Sequence, residues 1–261
     1  MKIKNKDLEN FYSKVYERNE KNHYSTLKLK NRPQEDADEA FKVIKWKNKK
    51  VLEVGCGTGR FANMIAKSGA HVLAIDFSES AIKLAKQNYQ HPNLYFQKMN
   101  VSKISEKYDV IVSLGTLEHM DDPFKILKKF KNHLNSKGKI IITNPNWTNP
   151  RGFMLLTLYY LFDAPITLAD NHFLTPVDHL QWAKKLNMKV NWKTIEHSWG
   201  HGSLLIDDFK RRLPKVLADA NLPNKQKNID SFLSRLEKNI LTMNYYLPQS
   251  GAVGLYVYKK G

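Results

Sequence analysis

Residues 51–60 read VLEVGCGTGR. An apolar run too short for a helix ends in glycine. Glycines at 55, 57 and 59 then lead into the amphipathic segment FANMIAKSG at 61–69. Glycines between a strand and a helix let the backbone turn tightly and approach a ligand without a Cβ, with the first helical N–H groups aimed at it. A dinucleotide fingerprint needs another glycine at position 60, where this chain has Arg60, and that speaks against a nicotinamide cofactor. Asp76, 21 residues after Gly55, ends the next apolar run HVLAID, a place from which a carboxylate accepts hydrogen bonds from both hydroxyls of a ribose.

The alternation continues outward. SESAIKLAKQN reads as a helix with Ser78 as N-cap, NLYFQKMN, YDVIVSLG and GKIIITNPN as three further strands, and a helix falls near 123–134. Strand and helix in this rhythm predict an α/β fold with a mostly parallel sheet covered on both faces and a ligand site at the carboxyl ends of its strands. Upstream, 7–30 carries Phe11, Val15, Tyr16, Leu27 and Leu29 among charges as a helix with a polar face, and a second helix follows Pro33. Residues 1–46 thus form an N-terminal helical lid and 47–146 the core. Residues 147–174 break the rhythm as a cap insertion. From 175 the core resumes with the helix TPVDHLQWAKKLN, the strand MKVNWKTIEHSW and the closing strand GAVGLYVYKK, interrupted by a helical insertion at about 203–245.

The chain has 261 residues, 42% of them hydrophobic, enough for one large domain. It shows no stretch of about 18 apolar residues and no secretory signal, and its single cysteine, Cys56, excludes an internal disulfide, so the expectation is a cytoplasmic protein. The net charge of +17 favours anionic partners. Only seven of the 42 basic side chains are arginine and the lysines are spread along the whole chain, which argues against a nucleic-acid groove.

The stretches LEVGCGTGRF, VLAIDFSESAIKLAK, the MN at 99–100 and YDVIVSLGTLEHMDDP, in this order over about 50–145, resemble the class I S-adenosylmethionine (SAM) dependent methyltransferases, in the broad group that holds the ubiquinone-biosynthesis O-methyltransferases. The resemblance implies a Rossmann-like fold with a mixed, mostly parallel seven-stranded sheet, and SAM as cofactor. It places Glu53 and the backbone of Gly55, Cys56, Gly57 and Gly59 around the methionine part, Asp76 on the ribose, and Phe77 on the adenine, unless Phe77 only fills the core. Asn100 stands where the family usually has Asp; an amide can both accept from and donate to the adenine edge. Val101 and Leu114 would line the adenine and the sulfonium side. Arg32 would meet the SAM carboxylate or else lie on the surface before a helix.

His119, in GTLEHMDD after the fourth strand, is the candidate base for an acceptor hydroxyl, the alternative being local packing. Ubiquinone-type relatives carry Glu-x-x-Glu-His here. Gly115 replaces the first carboxylate, so two donors remain, a poor site unless Asp121, Asp122 or a distant His adds a third, and no metal is expected. His197 and His201 have a ligand-like interval, yet Gly200 between them predicts a turn with exposed imidazoles. The acceptor site would be roofed by Tyr12, Tyr16, Trp147, Arg151, Tyr159, Tyr160, Arg211, Arg212, Tyr245 and Tyr246, with arginines to hold a phosphate. The expected acceptor is small and anionic, such as a phosphorylated or nucleotide-linked sugar of surface polysaccharide synthesis. RNA and a lipid quinone are the alternatives, and FMLLTLYYLF (153–162) is a membrane-facing piece, a buried cap helix or a homodimer face.

Overall fold

The computed structural model describes residues 35–167, 170–243 and 246–260. Helix α1 (Glu35–Phe41) precedes β1 (Lys50–Val54), α2 (Arg60–Lys67), β2 (His71–Asp76), α3 (Glu79–Asn88), β3 (Leu94–Lys98), β4 (Tyr108–Leu114), α4 (Pro123–Asn132) and β5 (Leu134–Pro145). Then come α5 (Pro150–Phe162), α6 (Pro176–Lys185), β6 (Met188–Ile195), α7 (His197–His201), α8 (Ser203–Asp219), α9 (Gln226–Thr242) and β7 (Val253–Lys260). The seven strands form one sheet in the order β3-β2-β1-β4-β5-β7-β6, parallel except for β7, which runs against both of its neighbours. This is the expected mixed, mostly parallel sheet.

Alternation along the strands explains the two-faced core. Val51, Val110, Val112 and Ile141 face a layer made by α1, α2 and α3. Leu52, Ile111, Ile140 and Ile142 face α4 and α6 on the other side. Both layers exclude water, so the central strands read as continuous apolar runs. Local signals fix the helix starts: Ser78 Oγ accepts from the Ala81 N–H, Asp122 caps α4, and Asp178 accepts from both N–H and O–H of Thr175 at α6.

A third apolar cluster belongs to the cap alone. Trp147, Leu155, Ile166, Leu205, Phe209, Leu213, Ile229 and Leu233 join α5, α8 and α9 into a layer above the carboxyl edge of the sheet. Helix α5 is the apolar segment singled out in the sequence, and it is not buried all round: Phe153, Tyr160, Leu161 and Phe162 are exposed. No helix among the described residues is long and apolar enough to cross a membrane.

One expected element changes. The strand of 188–199 stops at Ile195, and Glu196 turns the chain with a left-handed φ into the one-turn helix α7. Within it His197 Nδ1 and His201 Nε2 approach to 3.1 Å, so the pair is aligned and half-buried instead of splayed into solvent. Gly200 does not break this turn; it lets α7 press against the backbone of Ser250, where a Cβ would collide.

Candidate functional site

The loops after β1, β2 and β4 meet at the carboxyl edge. Gly55, Gly57 and Gly59 have φ of 77°, 50° and 83°, values that side chains rarely adopt. A Cβ at Gly55 would collide with the side chain of Thr116, just beyond β4, and one at Gly59 with Phe96 of β3. The turn is therefore closed from both sides, and Asp76 locks it: its carboxylate accepts from Gly57 N–H at 3.0 Å and Ser78 N–H at 2.9 Å. Burial pushes the Asp76 carboxyl up, against the pull of those N–H donors. A carboxylate offers about four acceptor positions, so ribose hydroxyls can still be met.

Glu53 is buried beneath the turn, and among the described residues its Oε2 has no hydrogen-bond partner. Burial, with the neighbouring charge of Asp76, pushes its carboxyl up to about 8. Cys56 is buried here too, and burial pushes its thiol up, so it is no nucleophile. A backbone cradle that admits no Cβ, a latched acid at the end of β2 and an orphaned buried carboxyl oxygen fit SAM, whose amine is a cation and whose ribose presents two hydroxyls. Phe77 is half-buried and belongs to neither sheet core. Asn100 is exposed and its Oδ1 accepts from Ser102 N–H at 2.8 Å. Val101 and Leu114 are half-buried on opposite faces of the sheet.

Beyond Gly115 a 3₁₀ turn over Leu117–His119 presents His119. Its Nδ1 lies 3.3 Å from Asp170 Oδ1 and its Nε2 lies 4.0 Å from Glu118 Oε1. Glu118 is buried; burial and the charge of Asp170 hold its carboxyl well above the usual range, and among the described residues its Oε2 has no hydrogen-bond partner. The third donor near this turn is Asp170 of the cap loop, not Asp121, Asp122 or a distant His. Glu118, His119 and Asp170 place one ligand atom each within 4.8 Å of one another, the spacing one cation would need.

Asp170 is the residue the sequence reading missed. Its loop is stitched to the turn: Asn171 and His172 N–H both donate to Glu118 O, at 3.0 and 3.1 Å, and Asn171 Nδ2 donates to His119 O at 2.9 Å. The local signal was only a polar turn after an apolar helix.

The roof assembles in part. Trp147 is buried, its ring edge-on to Phe173 at 4.8 Å, and among the described residues its Nε1–H has no acceptor. Tyr159 packs on the same Phe173 at 4.8 Å. Arg151, Arg211 and Arg212 converge on buried Asp208, with N–O distances of 2.9, 3.1 and 3.0 Å. Arg212 also donates to Ile166 O and so ties α8 to the cap loop instead of waiting for a phosphate. Arg151 uses only Nε on Asp208 and lies within electrostatic reach of Asp170. The Tyr246 ring lies tilted by 36° against His197, with ring centroids 4.5 Å apart. Tyr12, Tyr16, Arg32 and Tyr245 lie outside the described residues.

Comparison with known proteins agrees with this geometry. A methyltransferase-domain family model matches residues 45–200. Similar curated proteins include the ubiquinone biosynthesis O-methyltransferases of Glaesserella parasuis, 29% identical over 52% of this chain, and of Coxiella burnetii, 30% identical over 56%. The chain spans 64% and 66% of these relatives' own length. Among solved structures, a SAM-dependent methyltransferase of Mesorhizobium loti shares the fold, with a TM-score of 0.54 at 11% identity over 86% of this chain and 95% of that one. With the family model covering more than half of its length, the chain belongs to the class I SAM-dependent methyltransferases.

Proposed function

We propose that this chain methylates an oxygen of a small, anionic acceptor, with His119 taking the acceptor's proton. The observation that carries the reading is the placement of His119 on the carboxyl edge, beyond the Gly55–Thr116 contact that closes the cofactor turn, with Asp170 at 3.3 Å. SAM supplies a methyl carbon on a cationic sulfonium, which leaves with its bonding electron pair as a neutral thioether. The acceptor oxygen provides the pair for the new bond, and its proton passes to the imidazole of His119. The imidazolium so formed faces Asp170. The cap's part is to hold the acceptor in line and to exclude water, because alignment contributes most to a direct displacement.

Arg151 supports an anionic acceptor. Its Nε is spent on Asp208, and among the described residues its terminal nitrogens make no hydrogen bond, so the fork is available to a carboxylate or phosphate. A second reading, a lipid-borne phenol, is favoured by the uncharged, outward apolar side chains of α5 and by the named activity of the ubiquinone-biosynthesis relatives.

Methyl transfer from labelled SAM to phosphorylated sugars, nucleotide-linked sugars and hydroxybenzoates, each with and without phospholipid vesicles, tests both. Turnover of a soluble anionic acceptor is expected, with His119→Ala lowering kcat by about 10²–10⁴ and leaving S-adenosylhomocysteine affinity unchanged. Turnover confined to a vesicle-borne phenol would replace the first reading with the second. No turnover of any of these would overturn both.

A further inference from the structure

We infer that Arg151 and Arg211, bridged by Asp208, form a site in the cap for a phosphoryl group, and that the acceptor held there is a soluble phosphate monoester. The inference rests on the reading of the acceptor as a small anion and narrows it to one kind of anion.

Asp208 is buried where α5 and α8 meet, and its carboxylate is filled. Through Oδ2 it accepts from Arg151 Nε at 2.9 Å and Arg212 Nε at 3.0 Å, and through Oδ1 from Arg211 Nη2 at 3.1 Å and Arg212 Nη2 at 3.2 Å. A carboxylate offers about four acceptor positions, so these bonds exhaust it. The arginines use it differently. Arg212 lies fork-on to both oxygens and also donates from Nη1 to Ile166 O at 2.8 Å, as a cross-link does. Arg151 and Arg211 each spend a single N–H on Asp208. Among the described residues the terminal nitrogens of Arg151 make no hydrogen bond, and Arg211 Nε is buried without a partner.

Charge points the same way. Three guanidinium groups meet one carboxylate, which leaves an excess of positive charge in a layer that is otherwise apolar. Asp207, four residues before Arg211, is exposed and among the described residues makes no ion pair with it. Asp170 acts on Arg151 only through space and stands 3.3 Å from His119. That reach also sets the arginines near the His119 turn, where an acceptor hydroxyl must come. A buried donor and an unmatched guanidinium both cost free energy until an anion meets them. Arg151 and Arg211 reach opposite oxygens of one carboxylate, so a second group with several oxygens can bridge them in the same way. The donors left on the two forks exceed the acceptor positions of another carboxylate. A phosphate monoester brings a further terminal oxygen and about two negative charges at neutral pH.

The test is binding to the full chain saturated with S-adenosylhomocysteine. Calorimetry uses inorganic phosphate, glucose 6-phosphate, gluconate and glucose as probes, and co-sedimentation uses phosphatidylcholine vesicles carrying phosphatidic acid. Glucose 6-phosphate is expected to bind saturably, gluconate about tenfold more weakly, and glucose and the vesicles not at all. Arg151→Gln and Arg211→Gln should each weaken glucose 6-phosphate by about tenfold or more, the worth of a hydrogen bond to a charged group. Arg151→Lys, which keeps the charge and loses the fork, should fall between wild type and Arg151→Gln. Affinity for S-adenosylhomocysteine should stay within about threefold throughout. Arg211 is the more exposed of the pair, so Arg211→Gln decides the matter if Arg151→Gln loosens the cap. A purely structural role would not make the rise in melting temperature with glucose 6-phosphate disappear in the Gln variants, as is expected here. Four results each overturn the inference: no binding of phosphate or glucose 6-phosphate, an affinity unchanged in both Gln variants, gluconate bound as tightly, or binding confined to the vesicles. Turnover of some acceptor without phosphate binding at these arginines keeps the methyl-transfer reading and defeats this one. Phosphate binding that the variants abolish, with no turnover of any acceptor, does the reverse.

Discussion

At the cofactor turn, three glycines within five residues take left-handed φ and are latched by a carboxylate 19 residues from Gly57. In the cap, Asp208 gathers guanidinium groups from three and four residues along its own helix and from Arg151, 57 positions away. The first region is specified by backbone conformation, which leaves a mark on the local sequence because only glycine fits. The second is specified by side-chain charge brought together by the packing of helices, and Asp208, beside Asp207 in the segment IDDFKRR, carries no such mark. On the proposed function, the core would hold the part of the reaction that is the same for every acceptor, and the cap what can differ.

The largest expected effect removes the centre of the cap. Burial alone would push the Asp208 carboxyl up, but the charges and hydrogen bonds of Arg151 and Arg212 outweigh it and hold the carboxyl below its ordinary range. Asp208→Ala leaves three guanidinium groups without that partner, and stability should fall by about 3–5 kcal/mol, the usual cost of breaking a buried pair from one side. Urea unfolding with amide exchange on α5 and α8 checks this. The cofactor turn should keep its affinity for S-adenosylhomocysteine if the two regions are as independent as their apolar clusters are. Because the folded pKa is depressed, the stabilisation is present above about pH 4, the unfolded value. It is lost as pH falls through the lowered folded value.

Next comes the core. Gly55→Ala forces an L residue to φ 77° and pushes a methyl group into Thr116. About 1–2 kcal/mol for the left-handed backbone and a further amount for overpacking sum to about 2–3 kcal/mol. Calorimetry should show a roughly hundredfold weaker S-adenosylhomocysteine complex with the cap's protection against exchange intact. An equal loss in both regions would erase the contrast between them.

How much of this was legible follows the same division. The strands VLEVG, HVLAID and YDVIVSLG and the caps Ser78 and Thr175 could be read from the chain because each is set by period, propensity or backbone sterics within a few residues, whereas Glu53 was reached only through the resemblance to the methyltransferases. The strand through 197–199 was misjudged because the left-handed Glu196 has no signature in its side chain. Asp170 was invisible for another reason. It reaches His119 only because Asn171 and His172 spend their hydrogen bonds on a turn some 50 residues back. Arg212 and Asp208 sit four apart on one helix, so their pairing was readable, yet it turns Arg212 from a ligand into a cross-link.

The smallest effect separates the two regions by pH. Burial, with the charge of Asp76, places the Glu53 carboxyl at about 8, so the free protein holds it protonated at neutral pH. The ammonium group of S-adenosylhomocysteine binds better to a carboxylate than to a neutral acid, so binding must first release that proton. Each pH unit below about 8 then costs roughly tenfold in affinity, about 1.4 kcal/mol. Dissociation constants measured by calorimetry should fall about tenfold from pH 6 to pH 7 and level off above 8, and Glu53→Gln should flatten the profile. Stability without ligand has the opposite sign. A carboxyl whose folded pKa is raised contributes fully below its unfolded value of about 4.3 and loses that contribution as pH rises through the folded one. The melting temperature of the free chain should therefore decline from pH 6 to pH 9 while its affinity for S-adenosylhomocysteine increases, and a wild-type affinity that ignores pH would remove Glu53 from the cofactor's amine.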